Sequence, residues 1–413
     1  MNSGDNGFML VCAALVMVMT PGLAFFYGGL VRRKNVVNTM MACAGVMGIT
    51  MVMWVICGYS LVFGGNTGGI IGNFSNLFLN GLHFNQVSSY APTLSCITFV
   101  VFQMMFAVIT PALLTGSVAG RMNFKALMLF IALWSLLVYY PMAHMVWGQD
   151  GLLMKLGSVD FAGGNVVHIS SGVSGLVLAI LLGRRRNVEQ GLYQVHNIPF
   201  VFLGASLLWF GWFGFNAGSA LAANGLAAHA FLTTTLSSAA ALVSWMVIDV
   251  IKEGKPTLVG ASTGLVVGLV GITPGAGFVP VWASLIIGLL VSPICYFTMG
   301  FLKGKLKIDD ALDAFGCHGI GGIWGGIATG LFAQSSINGT ARWNGLVYGD
   351  FHLLGAQLLG ILVTIGVAVA GSLISYGITK AVTPLRVEPR DELIGQDMSQ
   401  HNENAYPSFN GMD

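Results

Sequence analysis

Charge is what this chain of 413 residues has least of: Asp, Glu, Lys and Arg together make up 8% of it, where a soluble globular domain carries about 25%. That scarcity, with 55% hydrophobic residues and a mean hydropathy of +0.78, excludes a water-soluble globule and leaves an integral membrane protein. Alternation of apolar and polar residues is missing from the long apolar runs, which excludes a transmembrane β-barrel. No basic n-region with a small-residue cleavage site precedes the first run, which starts at Phe8, so the first span is expected to act as its own uncleaved signal anchor. The cysteines (Cys12, Cys43, Cys57, Cys96, Cys295 and Cys317) all fall within apolar runs and show no paired spacing. They read as small buried hydrophobes. There is no His-Glu-x-x-His, and neither a metal nor another cofactor is expected. The net charge of +2 gives no basis for nucleic-acid binding.

A membrane-spanning helix needs about 20 apolar residues. Eleven stretches qualify as candidates, near 8–29, 38–63, 94–119, 124–146, 163–182, 197–217, 226–250, 257–273, 279–300, 311–333 and 351–380. The 57 glycines, many spaced small-x-x-x-small, permit close helix packing. Threading the spans alternately puts 16 of the 18 Lys and Arg residues on one side, leaving Lys155 and Arg342 on the other. By the positive-inside rule the N-terminus is outside and the segment Thr383–Asp413 is cytoplasmic. The expected fold class is an all-α integral membrane protein with eleven transmembrane helices. Its expected domains are a membrane domain, 1–383, and a cytoplasmic tail, 384–413.

Five spans before residue 183 and five between 197 and 333 have opposite orientation, because an odd number of spans flips the second set. Such an inverted five-plus-five repeat, with one extra helix, places a substrate path at the interface of the halves. His168 lies early in span five and His318 early in span ten. An ionisable residue at membrane depth is costly, and a pair at equivalent positions reads as a pore lining. A lone His hydrogen-bonded to a neighbouring helix is the blander reading. Both segments begin with an acidic residue, Asp160 and Asp313, and a Gly-rich stretch. Asp160 stands where a carboxylate can accept backbone N–H bonds and support an irregular turn. Trp147 and the cluster Trp212-Phe-Gly-Phe215-Asn-Ala-Gly-Ser219 lie at outer span ends, where position alone suggests belt anchors. A cation–π cage with a hydroxyl acceptor is the functional alternative. Phe106 fits pore or core equally.

The run Asp160-Phe-Ala-Gly-Gly-Asn-Val-Val-His-Ile-Ser-Ser-Gly-Val-Ser-Gly-Leu, ending in Leu182-Gly-Arg-Arg185, resembles the signature of the Amt/Mep/Rh ammonium transporters, in particular the bacterial and archaeal Amt branch. The similarity extends to Thr20-Pro-Gly-Leu-Ala-Phe-Phe-Tyr-Gly-Gly29, Ala143-His-Met-Val-Trp-Gly148, Gly211-Trp-Phe-Gly-Phe-Asn-Ala-Gly-Ser219 and Asp309-Asp-Ala-Leu-Asp-Ala-Phe-Gly-Cys-His-Gly-Ile-Gly-Gly322. The resemblance implies a non-enzymatic, multi-pass protein of the inner plasma membrane, assembled as a homotrimer with one pore per protomer. It implies an external ammonium site at Trp147 and Ser219 with Phe106, a gate that includes Phe215, a twin-histidine pore at His168 and His318, and Asp160 as support of the site. Ammonium would be deprotonated and its nitrogen passed as ammonia, with electrogenic uptake favoured. A neutral ammonia channel, or an ammonium sensor forming the membrane part of a signalling fusion, is the alternative. A PII-type regulatory protein at the cytoplasmic face is the implied partner. The tail departs from the family's His-Gly-Glu-x-Ala-Tyr element at Asn402. Asn enters left-handed backbone angles less readily than Gly, so tail docking and regulation are implied less firmly here.

Overall fold

A computed structural model describes residues 1–186, 188 and 194–406. The end of the predicted tail, 407–413, lies outside the described residues. The chain is an all-helical membrane protein, and among the described residues nine helices are long and apolar enough to span a bilayer. In chain order the helices are α1 (Ser3–Leu30), α2 (Arg33–Phe63), α3 (Cys96–Val118), α4 (Phe124–Lys155, interrupted after Trp147), α5 (Gly164–Leu182), α6 (Ile198–Gly218) and α7 (Gly225–Glu253). They continue with α8 (Leu258–Ile272), α9 (Val281–Gly304), α10 (Phe315–Ile320 running into Gly321–Phe332) and α11 (His352–Val382). The eighth and tenth predicted spans correspond to α8 and α10, the two stretches outside those nine. A small antiparallel hairpin, Val87–Ser88 with Ala91–Ser95, covers the face opposite the basic loops.

Side-chain caps start several of these helices. Asn2 accepts from the Asp5 amide at 3.0 Å, Ser95 from Thr98 at 3.1 Å, Asn197 from Phe200 at 3.0 Å and Thr257 from Gly260 at 2.9 Å. Each satisfies a donor that the first turn cannot pair internally. Glycine permits the close approaches: a Cβ on Gly204 of α6 would collide with the backbone nitrogen of Phe26 on α1. Another on Gly172 of α5 would collide with the backbone of Gly319 on α10, next to His318. All six cysteines are free, and five are buried as expected; Cys57 is only half-buried.

The face with the basic loops is locked by ion pairs. The Arg185 guanidinium donates to both oxygens of Asp309, at 2.9 and 2.7 Å, and Arg121 donates to the Asp309 carbonyl at 2.6 Å. Burial pushes the Asp309 carboxyl up, but Arg185 and Arg121 more than offset this and hold it at about 2.

The tail is docked on this same face. Its short helix α12 (Pro389–Ile394) presents Glu392, fully buried, to Arg386 at 2.8 Å and to the Arg186 amide at 2.6 Å. Gln396 donates to the Met122 carbonyl at 2.6 Å, and Asp397 accepts from the Asn38 amide at 2.9 Å. Tyr406 receives a bond from Asn197 at 3.2 Å and lies 3.1 Å from the His196 ring. Asn402 does adopt the left-handed conformation, with φ 55 and ψ 35. The turn therefore survives the replacement.

Candidate functional site

Both membrane histidines sit in π-helical turns, His168 in Gly164–Ile169 and His318 in Phe315–Ile320. Such wide turns release backbone groups from the regular ladder and recur at functional sites. A carboxylate eight residues earlier gathers the free amides in each case. Asp160 accepts from the amides of Gly163, Gly164, Asn165 and Val166 at 2.6–3.3 Å. Asp310 accepts from those of Ala314, Phe315 and Gly316 at 2.8–3.4 Å, and from the Ser117 hydroxyl at 2.7 Å.

This corrects the expectation that Asp313 opens the second segment. The position three residues after each carboxylate is left-handed: Gly163 has φ 119 and Asp313 has φ 57. Asp313 thus corresponds to Gly163, and Asp310 to Asp160. The side chain of Asp313 points away from the turn, to Lys303 at 2.6 Å.

The two turns bring the imidazoles together: the rings are nearly parallel, with centroids 5.3 Å apart, and Nδ1 faces Nδ1 at 3.3 Å. Both side chains are buried. The other candidates extend from them in a series of ring contacts. Phe215 lies 6.1 Å from His168 and stacks on Phe106 at 4.3 Å, and Phe106 meets Trp147 edge to face at 5.7 Å. Trp147 donates its indole N–H to the Asp160 carbonyl at 3.0 Å, which fixes its plane. Ser219, at the end of α6, donates to the Phe215 carbonyl at 2.8 Å, leaving its oxygen as an acceptor. Trp147, Phe106, Ser219 and Asp160 together border a cavity of about 280 Å³ on the face opposite the basic loops.

Trp212 is the member that sequence reading missed. Its position near a span end suggested an anchor in the aromatic belt, yet it is 1% exposed and stacks on His168 at 5.4 Å, nearly parallel. Its N–H reaches the Thr273 hydroxyl at 2.9 Å. The spacing that puts Trp212 one turn before Phe215 on α6 was the available signal. A second cavity, of about 390 Å³, opens on the basic face and is bordered by Lys303, Asp309, Asp313 and Cys317, the neighbour of His318. Among the described residues no group of three His, Cys, Asp or Glu side chains is placed to hold a metal ion.

Helices of opposite halves meeting at paired buried imidazoles, with a cavity on each face, define a multi-pass membrane transport protein. Comparison places it more narrowly. Residues 7–406 match the Ammonium Transporter Family, and the chain belongs to that family. An ammonium transporter of Bacillus subtilis (strain 168) is 48% identical over 98% of this chain and 99% of its own length. The ammonium transporter Amt1 of Archaeoglobus fulgidus is 44% identical, over 98% of this chain and all of its own. Among solved structures, Mep2 of Saccharomyces cerevisiae superposes with a TM-score of 0.89 at 35% identity, covering 99% of this chain and 94% of that one. A protein described as a sensor Amt protein superposes with a TM-score of 0.87 at 29% identity, over 96% and 98%.

Proposed function

We propose that this protein transports ammonium electrogenically across the inner plasma membrane, from the face opposite the basic loops to the cytoplasmic, basic face. The observation that carries the reading is the unbroken series of ring contacts that runs inward from Trp147 and Phe106, in the wall of the outer cavity, to His318, whose neighbour Cys317 borders the cavity on the basic face. Ammonium is recruited at the outer cavity, where the faces of Trp147 and Phe106 attract the cation by about 0.5–2 kcal/mol each and the Ser219 oxygen accepts one of its hydrogens. Asp160 shapes this site through its hold on the turn and on Trp147.

A bare cation is expensive to carry through an apolar bore. The ion therefore loses a proton at the stacked pair Phe106 and Phe215, whose rings must swing apart to let the nitrogen pass. Neutral ammonia then moves along His168 and His318 to the basic face. Potassium, which has no proton to lose, is rejected. The hydrogen-bonded imidazole pair gives the released proton a parallel route, which makes net charge movement the favoured outcome. The assembly is a homotrimer with one pore in each protomer, and the tail, 384–413, docked through contacts that run along the chain from Arg386 to Tyr406, is its regulatory segment and the contact point for a PII-type protein.

The test is ammonium-evoked current from purified protein in sealed liposomes. A saturable current lost in His168→Ala and His318→Ala is expected. Absence of current with ammonium binding retained sinks the electrogenic reading and favours a neutral channel or the sensing role that the similarity to a sensor Amt protein raises.

A further inference from the structure

Three carboxylates lie close in sequence at the basic-face end of the pathway: Asp309 and Asp313 border its cavity, and Asp310 is buried. Two are held by fixed partners. Asp309 is gripped by Arg185 through two hydrogen bonds, and Asp310 is buried among backbone amides and the Ser117 hydroxyl. Asp313 is different. Its partner is the flexible, half-exposed Lys303, with Nζ at 2.6 Å from Oδ2, and the carboxylate itself keeps 28% of its side-chain surface exposed. Both side chains border the same cavity as Cys317, one residue from His318.

The end group of lysine is an alkylammonium ion. A carboxylate that holds it can hold free ammonium by the same charge-assisted bonds. Resting on the ammonium reading above, we propose that Lys303 and Asp313 form an exit filter, in which the tethered ammonium of Lys303 occupies Asp313 and keeps that carboxylate from retaining the transported ion. Nitrogen that leaves the His318 end and regains a proton meets an occupied anion and passes into solution. Ammonium approaching from the basic face finds no open counter-charge, which disfavours its return. The pair biases release over re-entry without touching the histidines.

Vesicles of both orientations, prepared from cells carrying the full chain, allow ammonium transport to be started from either face. In Lys303→Met the ratio of half-saturating ammonium concentrations, basic face to opposite face, should fall by about two- to fivefold, the range that one partly exposed charge pair commands. The double variant K303M/D313N should return to the wild-type ratio, and Lys303→Arg should preserve it. An unchanged ratio in Lys303→Met, or a lowered ratio that persists in the double variant, overturns the filter. Should wild-type vesicles transport nothing, the transport reading is what has failed. Equilibrium binding of methylammonium to the purified proteins then decides: Lys303→Met must bind more tightly than K303M/D313N, and equal binding overturns the proposal.

Discussion

A hydrogen bond between two Nδ1 atoms 3.3 Å apart needs one donor and one acceptor, so His168 and His318 carry opposite tautomers and share a single proton across their contact. Their ring planes must stay aligned for this to hold. On the His168 side the alignment is supplied by Trp212, stacked at 5.4 Å and pinned through its N–H to Thr273. Trp212→Phe keeps an aromatic face but loses the pin. Because the Thr273 hydroxyl still donates to the Leu269 carbonyl at 2.7 Å, no buried donor is orphaned. The expected cost to stability is about 1–3 kcal/mol from the lost volume, while ammonium-evoked current falls several-fold. A current equal to wild type in the melted-and-verified variant would show that the stack does not position His168. The histidines were readable from sequence because an ionisable residue inside an apolar run stands out. Trp212 was not, since an aromatic near a span end is ordinarily an anchor and only its depth distinguishes it.

The π-helical turns are held at their entrances by single carboxylates, and the effect of removing one follows from what each oxygen accepts. Asp310→Asn replaces an acceptor with a donor aimed at amides that are themselves donors. It should destabilise the protein by about 2–4 kcal/mol, as expected for losing charge-assisted bonds inside the protein, seen as a lowered melting temperature in detergent. Asp313→Asn, which disturbs one half-exposed pair, should change it by less than about 1 kcal/mol. The reverse order would mean that Asp313 is the true support. Helix positions were legible from the apolar runs: hydrophobic length marks nine of them, and the shorter α8 and α10 stand out as apolar runs between polar loops. The choice among three nearby aspartates was not, for each is a plausible cap. The eight-residue spacing that Asp160–His168 shares with Asp310–His318 was the discriminating pattern, and it gains meaning only once the two turns are known to be alike.

For the molecule as a whole, the docked tail ties α2, the α3–α4 junction and the α5–α6 loop into one surface through Asn38, Met122, Arg186 and Asn197. Sequence alone left this docking in question at Asn402, because nothing local reveals how many partners await the segment beyond it. His401 is the titrating element. Its Nε2 donates to the Asn38 side-chain oxygen at 3.0 Å, and burial holds the imidazole below its ordinary value of 6.5 against the pull of Asp397 and Glu403. A depressed docked-state value means that docking is fully supported above the free value and weakens as pH falls through the docked one. Asp397 is raised, chiefly by burial, although the Asn38, Val37 and Val36 amides oppose the rise. It acts in the opposite sense, favouring docking as the carboxyl takes up its proton. If His401 governs near neutrality, acidification from about pH 7.5 to 5.5 should speed hydrogen exchange across 392–406, corrected for intrinsic rates, and His401→Gln should flatten that response. Asn402→Val, which places a β-branched residue at φ 55, costs about 1–2 kcal/mol or more in backbone strain and should speed exchange at every pH. Asn402→Gly should leave it slow. Equal exchange in Asn402→Val and wild type would mean that the contacts at Glu392, Gln396 and Asp397 hold the tail without the turn.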